Sequence, residues 1–219
     1  MTKVKRSYDS SGRREQARAR RLAVVLAARD LFERDGFRLT TINAVAERAG
    51  VAAISIYKGF GSKAALAKAV FDLVLAGDDE PVPIAERDEM RQVRAEPDVR
   101  RKITMFVDGL AQRQARSARV QILIRDGRHV DESLEPVWAK LNDEGLVGMT
   151  MFGRQLLDTG QLRPGIELDE VRDILWNYLA IDAYERLVLT QGWSPQRYAD
   201  WLARAIINGL GAEPGSSRR

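Results

Sequence analysis

Cysteine is absent from the 219 residues, and histidine occurs once. The first absence excludes disulfides, thiol redox sensing, thiolate catalysis and any zinc site built on sulfur. The second leaves one imidazole, His129, in the polar stretch RDGRHVDES, where a solvated surface ring is the plain reading. No apolar run approaches the ~20 residues that a membrane span needs, and the opening of the chain holds no apolar stretch that could serve as a signal-peptide core. A soluble, cytoplasmic chain without a membrane partner is therefore expected. Glycine-rich phosphate loops and His/Cys/carboxylate constellations are missing too, so no enzyme, cofactor or metal is expected.

Charge is present, and it is unevenly spread. The net +4 divides into +8 over residues 1–63 and −4 over the rest. Such asymmetry suits a unit that meets a polyanion joined to one that does not, although a cationic tail on an ordinary protein would give the same count.

Helical periodicity dominates what remains. Residues 1–17 are polar and without apolar period, and read as a flexible basic arm. From residue 18 onward Leu22, Val25, Ala28, Leu31 and Phe32 form one stripe, closed by Asp35-Gly36. Thr40 or Thr41 can cap a second helix carrying Ile42, Val45, Ala46 and Ala49, which Gly50 ends. A short third segment, AAISIYKGF, precedes a helix that Ser62 can cap. The stretch from Gly77 to Pro97 reads as a connection between domains, with room for a helical turn of its own. Beyond it lie apolar stripes through Ile103 to Leu110 and from Leu134 to Leu156. Two further helices are expected, one from Leu168 to Leu189 and one from Ser194-Pro195 to Leu210. The expected fold is all-α: an N-terminal three-helix domain over 18–78, a larger C-terminal domain over 79–212, and a disordered tail, 213–219.

Two short helices joined by a tight glycine turn, with Ala46 and Ala49 at their crossing and Val51 plugging the core, meet the requirements of a helix-turn-helix at about 41–60. The string TTINAVAERAGVAAISIYKGFGSKAAL resembles the DNA-binding region of the tetracycline-repressor (TetR) family. The resemblance rests on Thr41, Val45, Ala46, Ala49, Gly50, Val51, Ser55, Ile56, Tyr57, Phe60, Ser62, Lys63 and Leu66, without a gap. It implies a transcriptional regulator, usually a repressor, that binds a double-stranded operator as a homodimer and answers to a small molecule. Two departures stand out. Ala52 replaces the Ser or Thr that caps the recognition helix, and Gly59 replaces an aromatic or histidine. They keep open a helical interaction protein that has lost sequence-specific binding.

The expected DNA contacts are Thr40 and Thr41 at the start of the second helix, with Ala52, Ala53, Ile54, Ser55 and Lys58 facing the bases. Apolar contact with thymine methyls would then outweigh bidentate hydrogen bonds. The resemblance gives Tyr57 and Lys63 to phosphates. Packing is the alternative for Tyr57 and Ile54.

In the larger domain, the last two helices carry apolar faces that suit a four-helix bundle between two copies, or burial within one chain. Gly145 and Gly148 share a face with Trp138, Met149 and Phe152. With Phe106, Trp176, Asn177, Tyr178 and Asp182 they could line a site for a small, largely apolar effector. Close helix crossing at the glycines, and a surface Asp182 paired with Arg186, are the alternatives.

Overall fold

The structure is a computed structural model, and it describes residues 11–178 and 180–212. The expected tail and residues 1–10 of the expected arm lie outside these. Among the described residues there are helices and turns but no strand, and none of the helices is long and apolar enough to cross a membrane. The chain forms two compact units that divide between Val70 and Phe71, inside a helix rather than at residue 78.

The first unit opens with α1, Ser11–Leu39. Residues 11–17, expected in the arm, are helical. Arg, Glu, Gln and Ala are good helix formers, and extending a nucleated helix needs no apolar stripe. Gly36, at φ 78° and ψ 170°, breaks α1 near its end and turns the chain toward α2. The inward face of α1 buries Val24, Val25, Ala27, Ala28, Leu31 and Phe32, and Phe32 stacks on Phe37 at 5.6 Å.

Next come α2, Ile42–Ala49, and α3, Ala53–Phe60. Thr41 Oγ1 accepts the Ala44 N–H at 3.1 Å, capping α2. Gly50 ends it in the left-handed conformation (φ 67°, ψ 33°), with the Val51 N–H bonded to Ala46 O at 3.0 Å. This turn swings α3 across α2, and Ile56 is buried as the pivot between them. α4, Lys63–Ala76, carries the chain past the division.

The second unit contains α5, Asp88–Ala95; α6, Val99–Gly127; α7, Glu135–Leu157; α8, Leu168–Tyr178; α9, Ile181–Tyr184; and α10, Pro195–Leu210. It begins well before Pro97, because Met90 and Val93 of α5 are already buried in its core. α6 packs on α10 and α7 on α8. Asp98 caps α6 by accepting the Arg101 N–H at 2.8 Å, and Ser194 caps α10 by accepting the Arg197 N–H at 3.1 Å.

The single helix expected over 168–189 is broken. Ala180 is extended (ψ 142°), α9 follows for one turn, and Glu185–Thr190 continues as a π-helical turn. At 100° per residue, Tyr184 would fall about 180° from Leu175 on an unbroken helix. Both are buried, so the break is what turns the two faces to one core.

Candidate nucleic-acid interface and regulatory core

Sequence expectations for α3 divide cleanly by exposure. Ile54 is 60% and Tyr57 51% exposed, and Ala52, Ser55 and Lys58 are exposed beside them, while Ala53 is half-buried. Neither Ile54 nor Tyr57 is a core residue. An isoleucine and a tyrosine held outward on a helix with a buried pivot leave a face of methyls, hydroxyls and one ammonium. Such a face can touch thymine methyls and phosphate oxygens. The helix start is bare: Ala52 offers no side-chain cap.

The far end of α3 is held by a residue the sequence reading passed over. Arg21 on α1 donates to Gly59 O at 3.2 Å and lies 4.2 Å from the centroid of the Phe60 ring. A cation at a helix C-terminus opposes the negative end of its dipole. The signal in the sequence was an arginine immediately ahead of Leu22, where the α1 stripe begins. Arg48 on α2 adds a second tie to α1, meeting Asp30 at 2.7 Å.

Two expected DNA contacts have partners within the chain. Thr40 is 2% exposed, and its hydroxyl donates to Gly36 O at 2.8 Å. It closes the turn after α1. Lys63 Nζ donates to Phe37 O at 2.9 Å and Thr40 O at 3.2 Å and sits 4.2 Å from the Phe37 ring centroid. Two of its three donors serve the turn that Gly36 creates, where free carbonyls need donors. Thr41 stays exposed at the start of α2, capping it.

The residues expected to line one effector cavity take up different positions in and around the core of the second unit. A Cβ on Gly145 would lie 2.8 Å from the Trp176 ring, so Trp176 fills the space above this glycine and the close-crossing alternative holds there. Gly153 serves the same crossing against Val171 and Leu168. A Cβ on Gly148 meets nothing within 4 Å. Trp138 and Met149 are half-buried beside the core. Phe106 and Phe152 are inside it, stacked on each other at 3.9 Å. Tyr178 packs edge-on against Trp201 at 6.5 Å.

Asn177 is exposed and cannot orient a buried ligand. Asp182 faces Arg125 rather than Arg186. It pairs with Arg125 at 3.0 Å, and Glu185 joins the same guanidinium at 2.7 Å. Asp126 lies at 2.8 Å, and it and Glu185 raise the Arg125 pKa further above its usual value, chiefly through the Asp126 hydrogen bond. The apolar stripe of α10, from Tyr198 through Leu202 and Ile206 to Leu210, is buried within its own chain.

A helix-turn-helix unit with an outward recognition face, set ahead of a larger helical unit, defines a DNA-binding regulator in architecture. Residues 24–70 match the family described as bacterial regulatory proteins, tetR family. The fold is shared over most of the chain. FadR from Bacillus subtilis, in complex with stearoyl-CoA, is 14% identical, with 86% of this chain and 98% of that chain covered and a TM-score of 0.68. The fatty acid degradation regulator FadR from Bacillus halodurans is 15% identical (89% and 97% covered, TM-score 0.69). NalD, the secondary repressor of the MexAB-OprM multidrug efflux pump in Pseudomonas aeruginosa, is 19% identical (90% and 98% covered, TM-score 0.66). No curated relative matches in sequence. Residues 24–70 thus carry the match to that family, and the chain is similar to such regulators in fold.

Proposed function

We propose that this chain is a cytoplasmic repressor that binds a palindromic operator as a homodimer, with α3 in the major groove, and is released when a small, largely apolar molecule enters its larger unit. The observation that carries the DNA reading is the outward face of α3, with Ile54 and Tyr57 both more than half exposed, in a segment of net charge +8. Bases would be met by Ala52, Ile54, Ser55 and Lys58, and phosphates by Tyr57 and the capped start of α2 at Thr41. The effector reading is supported by kinship of fold with a FadR solved with stearoyl-CoA.

Pairing through the last two helices would use the edge of α10 that carries the half-buried Trp201 and Ala205, since its main stripe is already covered. Leu146, Val147 and Met151 on α7 are the exposed apolar side chains that compete for this role. Sedimentation of Val147→Asp decides between them: a dimer that persists supports the α10 edge.

The experiment that tests the DNA reading is affinity for the chain's own upstream DNA and for random duplex as a function of salt. Several phosphate contacts per protomer give a plot of log affinity against log salt with a slope of about −0.9 per contact. A flat plot removes the DNA reading. Equal affinity for both duplexes would favour the interaction protein that the uncapped Ala52 keeps open.

A further inference from the structure

The first turns of α1 contribute nothing to the core. Every residue from Arg13 to Arg21 is exposed, and the buried stripe of this helix starts only at Val24. In that stretch, RREQARARR, five arginines stand against one glutamate, a net charge of +4. Arg14 and Arg18 are four residues apart, and Arg18 and Arg21 three, so like charges neighbour one another along one side of the helix. Such pairs weaken a helix. Burial does not explain Arg14 and Arg18, since both lie in solvent.

Arg21 sets the direction of this side. Its guanidinium donates to Gly59 O and lies over the Phe60 ring, which turns it toward the C-terminal end of α3. At 100° per residue Arg14 falls about 20° from Arg21 and Arg18 about 60°, with the small Ala17 beside them. Arg14 stands about 10 Å further along the helix axis than Arg21. Residues 13–20 are all exposed, so the stripe runs on past α3 instead of packing along it.

We propose that Arg14 and Arg18 hold the phosphate backbone of the operator beside the groove that α3 enters, so that each protomer grips more duplex than its recognition helix reads. A guanidinium presents a planar fork of donors that matches phosphate oxygens, and a polyanion arriving at α3 relieves the repulsion along the stripe. The contact adds affinity without reading sequence, because phosphates carry no base information directly. An anionic membrane is the poorer fit: the stretch has no large apolar side chain to insert, only Ala17 and Ala19. The inference rests on the DNA-binding reading above and adds to it a contact surface outside the helix-turn-helix.

The test uses full-length protein and three double variants, with affinity for the chain's own upstream DNA and for random duplex followed against salt. Arg14→Gln/Arg18→Gln removes both contacts while keeping good helix formers. It is expected to flatten the plot of log affinity against log salt by about 1.8 per protomer and to weaken binding to both duplexes about tenfold or more. Arg14→Lys/Arg18→Lys keeps both charges and should keep the wild-type slope. Arg119→Gln/Arg154→Gln removes two exposed charges from the second unit and should leave the slope unchanged, which separates contact from net charge. Far-ultraviolet ellipticity should match wild type in all three. A wild-type slope in the first variant, its flattening in either of the other two, a loss confined to the upstream DNA, or a loss of helix in the first variant would each overturn the proposal. If wild type binds with a steep slope while any of those results appears, only this contact falls; a flat wild-type plot removes the DNA reading with it.

Discussion

Lys63 Nζ lies 2.9 Å from the carbonyl oxygen of Phe37 and 4.2 Å from the centroid of the same residue's ring. One residue thus offers the ammonium both a hydrogen bond and a cation–π face, and a second carbonyl, Thr40 O, completes the seat. Hydrogen bonds from a charged donor contribute about 1.5–3 kcal/mol each in partly buried sites. Lys63→Met should therefore lower the stability of the first unit by about 1–3 kcal/mol in chemical denaturation. The slope of log DNA affinity against log salt should stay unchanged, whereas loss of a phosphate contact would flatten it by about 0.9.

Tyr57→Phe should act in the opposite way. Its hydroxyl stands on a half-exposed side chain, so melting should be unaltered. Affinity should fall by about tenfold or less, and equally for operator and random duplex, because phosphate contacts position a protein without reading sequence. A loss confined to the operator would assign the hydroxyl to a base edge instead.

The two glycines of α7 predict opposite signs. Gly148→Ala adds a methyl to open space and gains helix propensity, stabilising by about 0.5–1 kcal/mol. Gly145→Ala gains the same propensity but drives a methyl to 2.8 Å from the Trp176 ring, and overpacking of this kind costs about 1–3 kcal/mol. Thermal unfolding of the pair checks both, and an earlier melt for Gly148→Ala would mean that this face is covered in the assembled protein.

Acid sensitivity should trace in part to Asp78. The hydrogen bond from Arg87, 2.6 Å from its Oδ2, and the Glu80 N–H lower its pKa from 3.8 to about 2. A depressed acid contributes stability above its unfolded value and loses it as pH falls through the folded one. The melting difference between wild type and Asp78→Asn should be constant near neutrality. It should shrink between pH 3.8 and about 2, where a difference that persists would place the carboxyl outside the folded-state linkage.

Where apolar period and turn chemistry agreed, the sequence was a sufficient guide. The α1 stripe, the Gly50 turn and the Ser194-Pro195 start of α10 all stand in the structure. What it concealed was geometry between elements. Thr40, expected at DNA from its place at the start of the second helix, and Lys63, from the family resemblance, both serve the turn at Gly36, and nothing in their identities records that the carbonyls there need donors. The break at Ala180 carries no glycine or proline. Only the incompatibility of Leu175 and Tyr184 on one straight face announced it. Gly145 could be read as void or as contact, and the choice lay with a tryptophan about thirty residues away whose rotamer no periodicity specifies.

A recognition helix that begins on Ala52 without a side-chain acceptor also bears on how long the protein stays where it lands. A serine there would be worth about 1 kcal/mol to the folded helix. If that ordering cost is met only when DNA is bound, its absence shortens the bound lifetime by roughly fivefold, since differences between related complexes fall mainly on the off-rate. Ala52→Ser would then make a slower switch: a repressor that clears its operator late after the effector arrives. On this account the alanine sets tempo as well as affinity, trading occupancy at rest for promptness of release.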